Sequence, residues 1–319
     1  MREVFVRPDV RAFLDALKAN PRPAMTAESL PSLRPMAAKG VATMLEPPVG
    51  ELAVIRDLTM PGPAGDIALR LFDARMERGP GPVAVYFHGG GFIIGDIDTH
   101  AAICAEIARR LDLPVVSVEY RLAPENPFPA APDDAEAATR WVADNAAELG
   151  RDVTGLVICG DSAGGTLTLV TTLALRDRPA AVPVLLQFAI YPAADPTMDY
   201  ASGRQFSDGY GLDAAEMGLY REYYRADPKD WRAVPMVADH AGLPPTLILT
   251  ASLDPLRDQG RAYAAKTIAA GVATAYREAQ GTIHGFCGFR KAIPSGHADF
   301  VASLEIARAM VEESVAALA

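Results

Sequence analysis

"LVICGDSAGGTLTLV", Leu156 to Val170, decides how the rest of the chain is read. Its first part is an apolar run ending in glycine, as a strand would be, and its last part reads as a helix. Between them stands Ser162, in the pattern G-x-S-x-G, surrounded by Gly160, Ala163, Gly164 and Gly165. A backbone that bends sharply enough to lift one hydroxyl clear of both elements leaves almost no room for side chains on either side of it. The same bend sets the N-terminus of the following helix under the serine, where it favours developing negative charge. A glycine-rich turn that binds phosphate or merely packs closely is the alternative the pentapeptide leaves open.

A serine is a weak nucleophile until a base takes its proton, and the base must be held by a carboxylate. The chain has five histidines: His88, His100, His240, His284 and His297. For a serine on a strand-to-helix elbow, the acid and base follow it in the order Ser, Asp, His, on loops after late strands. "LILTASLDPLRDQG" presents Asp254 after an apolar run, and "YREAQGTIHGF" presents His284. Asp258 is the rival acid, but it lies a helical turn farther on and reads as serving that helix's first turn. His240 and His297 read as exposed surface residues.

The attacked carbonyl needs N–H donors beside the serine as it becomes an oxyanion. "FHGGGF", residues 87–92, ends a strand with glycines that let main chain approach a substrate, so the amides of Gly90, Gly91 and Ala163 are the expected donors. "GGGFIIG" lacks the G-x-G-x-x-G spacing of a dinucleotide loop. His88, Asp96, Asp98 and His100 are metal-ligand types, but nothing else in the chain converges on them, and His88 reads as a structural group shaping the loop. No metal and no organic cofactor is expected.

Outward from this unit, strands alternate with helices, which specifies an α/β fold with a mostly parallel central sheet flanked by helices. Strands are expected at "ELAVIRDLTMP", "DIALRLFDA", "GPVAVYFHGGG", "LPVVSVEY", "PVLLQFAIYP", "PTLILTAS" and "TAYREA". Helices are expected over 9–19, 26–45, 99–111, 133–149, 256–270 and 298–318. Residues 1–46 contribute helices and no strand, residues 47–195 and 243–319 form the core, and 196–242 form an aromatic-rich insertion. The N-terminal helices and the insertion together read as a cap.

Composition narrows the function. The 319 residues carry 30 Lys+Arg against 40 Asp+Glu, a net charge of −10 with no basic run, which argues against nucleic acid as a partner. No segment approaches the roughly 18 uncharged apolar residues of a membrane span, and the first residues lack an apolar leader core. The expected compartment is the cytoplasm. Cys104, Cys159 and Cys287 are scattered and read as buried thiols rather than a disulfide framework. Only five of the basic residues are Lys, a usage suggesting a GC-rich bacterial genome.

"HGGGF", "YRLAPENPFPAAPDD", "GDSAGG", "DPLRD" and "IHGF", in that order, resemble the hormone-sensitive-lipase-like family of bacterial carboxylesterases, in its GDSAG branch. The resemblance covers residues 51–319 and reaches the N-terminal helices by position alone. It implies an α/β-hydrolase core under a helical cap, with Ser162 as nucleophile, His284 as base and then acid, Asp254 orienting it, and Glu125 structural. The implied reaction is hydrolysis of a small-molecule ester with a short-to-medium acyl group, by a monomer or homodimer. Amide or lactone hydrolysis by the same groups, or a non-catalytic small-molecule receptor on the same fold, are the alternatives. Phe92, Phe206, Tyr210 and Phe286 are the expected pocket walls.

Overall fold

The computed structural model describes residues 4–21, 25–26, 28–40, 46–196 and 199–318. Among them, eight strands form one sheet in the order β1-β2-β4-β3-β5-β6-β7-β8. β1 (Val54–Gly62) and β2 (Gly65–Asp73) are antiparallel, and β2 is antiparallel to β4 (Val115–Val118). Every other pairing is parallel and joins, in sheet order, β4, β3 (Gly81–Phe87), β5 (Val153–Asp161), β6 (Val184–Ile190), β7 (Thr246–Leu253) and β8 (Thr274–Ile283). The sequence carries the reason for this division. Edge strand β1 is largely exposed, whereas β5 is buried at every position but Thr154, as a strand covered on both faces must be.

The period of two within β3 sorts the core. Val83, Val85 and Phe87 pack with Ala135 and Val142 of α4 (Ala130–Asp144) and with Leu167 and Val170 of α6 (Ala163–Asp177). Ala84 and Tyr86 point the other way, to Ile103 and Ile107 of α3 (Ala101–Leu111) and Phe300 and Leu304 of α10 (Pro294–Leu318). β5 therefore lies mid-sheet with helices above and below, and its C-terminal end opens on the loops that follow β3, β7 and β8.

Several boundaries differ from those expected. The helix expected over 133–149 starts at Ala130 and stops at Asp144, and α5 (Ala146–Leu149) follows. Pro132 is tolerated in the first turn, where its missing N–H has no intrahelical acceptor, and the Asn145 side chain turns back to the Trp141 carbonyl at 2.8 Å. The helix expected over 26–45 appears as α2 (Leu30–Gly40), with residues 27 and 41–45 outside the described set. The last helix begins at Pro294 rather than at 298.

The N-terminal segment is fastened to the far end of the chain. Val10 and Leu14 of α1 (Pro8–Ala19) are buried against Phe206, Leu253, Ile283 and Ile293. The Asp9 carboxylate accepts the Ser295 amide at 2.8 Å and its hydroxyl at 2.9 Å. Glu46 and Arg290, 2% and 5% exposed, form a buried ion pair in which the Arg290 amide and Nε each donate at 2.9 Å. Removing one member of such a pair costs about 3–5 kcal/mol, because the other is left charged in the interior. Arg34 of α2 donates to the carbonyls of Ile93 and Ala123, each at 2.8 Å, and to the Glu125 carboxylate, so Glu125 is a tether. Between β6 and β7 the chain forms α7 (Ala201–Gln205) and α8 (Ala214–Tyr224), and α9 (Arg257–Ala269) follows β7.

Candidate active site

Ser162 follows β5 with φ 54° and ψ −116°, and α6 begins at the next residue. A positive φ on serine costs on the order of 1–3 kcal/mol and persists only where neighbours fix it. The Ser162 amide donates to the Ile190 carbonyl at 2.9 Å, and its own carbonyl accepts the Thr166 amide at 3.0 Å. The small neighbours are required by space. A Cβ on Gly164 would sit 1.9 Å from the Phe87 carbonyl oxygen, and one on Gly160 would sit 2.5 Å from the Gly164 carbonyl oxygen. Strand β3 and the elbow are in backbone contact, so any side chain at these glycines would force them apart.

The loops after β7 and β8 bring Asp254 and His284 to the same place. His284 Nε2 lies 2.8 Å from Ser162 Oγ, and Nδ1 lies 2.7 Å from Asp254 Oδ2. Asp254 is fully buried, and its other oxygen accepts the Leu256 amide at 2.8 Å, which fixes the carboxylate plane. The Tyr191 ring packs on the imidazole with centroids 4.6 Å apart. Burial alone would push the His284 pKa down. The Asp254 charge and hydrogen bond outweigh it and raise the pKa above its ordinary value.

On the opposite side of Ser162, Gly90 and Gly91 have φ of 120° and 60°. Among the described residues, the amides of Gly90, Gly91 and Ala163 have no hydrogen-bond acceptor, and all three residues line the same cavity as Ser162 and His284. Gly89 anchors this loop by donating to Asp161 Oδ1 at 2.9 Å. Asp161 is a buried hub that also accepts the Tyr86 hydroxyl at 2.6 Å and faces His100 at 3.4 Å. Burial opposes its charge, but His100 and the Tyr86 hydroxyl hold its pKa below the ordinary carboxylate value. Asp161 is part of the quoted stretch, yet its role is visible only once Tyr86, Gly89 and His100 surround it.

The remaining candidates fall elsewhere. Asp258 occupies the first turn of α9, pairs with Arg257 and Arg261, and accepts the Ser202 amide at 2.9 Å, so it ties α7 to α9. His88 is buried, stacked on Tyr120, and its Nδ1 is 2.8 Å from the Gly89 carbonyl; burial pushes its pKa to about 4. Asp98 pairs with Arg70, and Asp96 accepts the Thr99 amide. Among the described residues, no group of three or more His, Cys, Asp or Glu side chains is placed to hold a metal. The expectation of exposed His240 and His297 is corrected. His240 is 1% exposed, with Nε2 3.0 Å from the Pro235 carbonyl and its ring on Tyr263. His297 is half-buried near Arg290, because α10 starts one turn earlier than expected.

The cavity over Ser162 has a volume of about 710 Å³. Phe92 lines it, with Leu212, Met217, Tyr220, Tyr224 and Val234. Phe206, Tyr210 and Phe286, the other expected walls, do not. Phe206 and Tyr210 pack edge to face in the cluster formed with α1, and the Arg257 guanidinium lies over the Phe206 ring. Phe286 is wholly buried beneath the sheet, against Tyr191. Aromatic residues in an insertion read alike whether they face a cavity or a helix, and α1 takes these. The i, i+4 pair Tyr220 and Tyr224 on α8 is the signal that could have found the wall.

Comparison with known proteins agrees with this geometry. The alpha/beta hydrolase fold family matches residues 84–288. Esterase LipI of Mycobacterium tuberculosis is 38% identical over 252 residues, covering 77% of this chain and 78% of LipI. Carboxylesterase NlhH of the same organism is 38% identical over 237 residues, covering 72% and 74% of the two chains. An alpha/beta hydrolase enzyme from the metagenome of Lake Arreo, Spain, superposes with a TM-score of 0.88 at 37% identity, over 96% of this chain and 98% of its own.

Proposed function

Because the chain belongs to the hormone-sensitive-lipase-like carboxylesterases of the α/β-hydrolase fold and is itself a carboxylic ester hydrolase, we propose that it cleaves short-to-medium acyl esters through an acyl-enzyme on Ser162. The observation that carries this reading is the unbroken chain of hydrogen bonds from Ser162 Oγ through His284 to Asp254, opening on an apolar cavity.

In the proposed reaction, Ser162 Oγ bonds to the ester carbonyl carbon as its proton passes to His284 Nε2. The carbonyl oxygen becomes an oxyanion, and the amides of Gly90, Gly91 and Ala163 receive it with the α6 N-terminus behind them. Collapse breaks the bond to the alkoxide, which leaves as alcohol with the His284 proton. Water then repeats the sequence: His284 takes its proton, hydroxide oxygen bonds to the acyl carbon, and the bond to Ser162 breaks as the proton returns. Asp254 holds the imidazole with Nδ1 protonated and stabilises the imidazolium. The α7 and α8 insertion and the N-terminal helices act as a cap that closes the acyl cavity. Cytoplasmic residence in a bacterium fits three free, buried cysteines; among the described residues no helix is long and apolar enough to cross a membrane.

The acyl range is tested with chromogenic esters from acetate to palmitate. The wall set by Leu212, Met217 and Tyr220 is expected to give the highest kcat/KM between acetate and octanoate, with a fall of about tenfold or more for palmitate. Highest activity on palmitate would overturn the proposed range. The pH profile tests the base. His284 must be neutral to take the serine proton, so kcat/KM is expected to be lost as pH falls through a pKa raised above 6.5. An acid limb with its midpoint well below 6.5 would assign the titration to another group.

A further inference from the structure

Phe92 holds φ 65° in the loop that carries Gly90 and Gly91, a conformation that a bulky residue keeps only when its surroundings over-determine it. What surrounds it is the insertion. Its ring lies flat on Tyr224 of α8, with centroids 3.9 Å apart and planes within 5°. Tyr224 is braced in turn: Phe128 meets its ring edge-on at 5.6 Å, and the Phe128 amide donates to its carbonyl at 2.8 Å. One helical turn earlier, the Tyr220 ring occupies the space in which a Gly91 Cβ would stand, 2.5 Å from the nearest ring atom. The loop's own backbone is tied on its other side, where the Phe92 carbonyl accepts the Ala123 amide at 2.9 Å and the Ile93 carbonyl accepts Arg34.

We propose that Tyr224 is a positioning residue for acyl transfer: its ring, stacked on Phe92, sets where the Gly90 and Gly91 amides point. Two of the three donors to the oxyanion are then held by α8 as well as by the sheet, where Gly89 donates to Asp161. Phe92, Tyr220 and Tyr224 all line the cavity, so loss of the Tyr224 ring opens a wall and frees the loop instead of leaving a sealed void. The consequence is expected in the transition state, where the donors must stand within a few tenths of an ångström of the oxyanion, more than in ester binding. The proposal rests on the reading of Ser162 as nucleophile.

The test measures kcat and KM on a short nitrophenyl ester, together with affinity for an alkyl trifluoromethyl ketone, which adds to serine and leaves a charged oxygen among the donors. Tyr224→Ala is expected to lower kcat about 10- to 100-fold with little change in KM, and to weaken the ketone by the same factor. Tyr224→Phe keeps the ring and is expected to restore both. Phe92→Gly accepts the positive φ without strain but has no ring, so it is expected to fall with Tyr224→Ala and decides the matter if that variant does not fold. The proposal is overturned by a kcat within about twofold of wild type in the variants lacking a ring, by a loss confined to KM, or by Tyr224→Phe falling as far as alanine. Ser162→Ala in the same panel separates the two readings. Full activity there overturns the nucleophile, whereas an inactive Ser162→Ala beside an undiminished Tyr224→Ala overturns only the role of the stack.

Discussion

Ser162→Ala is expected to lower kcat for ester hydrolysis by about 10⁵- to 10⁶-fold, the loss seen when a nucleophile that works as one unit with its base is removed. That corresponds to about 7–8 kcal/mol of transition-state stabilisation. The substitution removes one oxygen atom from a position already strained at φ 54°, and alanine tolerates that backbone no worse than serine does. The cavity, the glycine amides and the His284–Asp254 pair all remain, so KM for a short ester and the thermal unfolding temperature are expected to stay near wild type. Rate measurements on nitrophenyl acetate, with far-ultraviolet circular dichroism as the folding control, check both. Turnover above about one-hundredth of wild type would mean that another group attacks the ester.

The second large effect comes from the far side of the His284 imidazole. Asp254 offers one oxygen to the Leu256 amide and the other to His284 Nδ1. In Asp254→Asn the backbone N–H still demands an oxygen, so the new NH₂ turns towards the imidazole. Nδ1 must then accept, the ring proton moves to Nε2, and His284 can no longer take a proton from Ser162. The expected loss in kcat is about 10⁴-fold, near 5.5 kcal/mol, with the fold intact. The same substitution deletes the charge that raises the His284 pKa, so the acid limb of the residual activity is expected to move to lower pH. Steady-state rates across pH 5 to 9 measure both at once. A fall of less than tenfold, or an unmoved limb, would remove Asp254 from the role of orienting acid.

Much of the site was legible because its groups obey local rules. Ser162 needs residues without side chains around it, and Asp254 and His284 must come from loops at the ends of apolar strands, so spacing and order suffice to find them. The parallel centre of the sheet was legible from the alternation of strands with helices and from the continuous apolar run of β3. What failed depends on contacts between distant segments. Phe206 and Tyr210 sit beside polar residues in an insertion, and nothing local says that Val10 and Leu14 of α1 will cover them. His240 reads as an exposed surface residue, yet the turn at Pro235–Val237 brings a carbonyl to its ring and buries it. Tyr224 met Phe92 only because α8 folds back over a strand end formed more than a hundred residues earlier. In each case the deciding contact is one that the local sequence does not specify.

The ion pair between Glu46 and Arg290 joins positions 244 residues apart, and the Asp9 to Ser295 contact joins positions 286 apart. At a synthesis rate of about 5–20 residues per second, Glu46 emerges roughly 12 to 50 s before its partner exists. Throughout that interval its carboxylate has no Arg290 to pair with, so burying it carries the desolvation cost of a lone charge. The sheet can assemble outward from β3 and β5 while the first helices wait. His284 is also made late, so the proposed hydrolytic groups and the clasp that fastens the N-terminal segment to the C-terminal end of the chain are completed together.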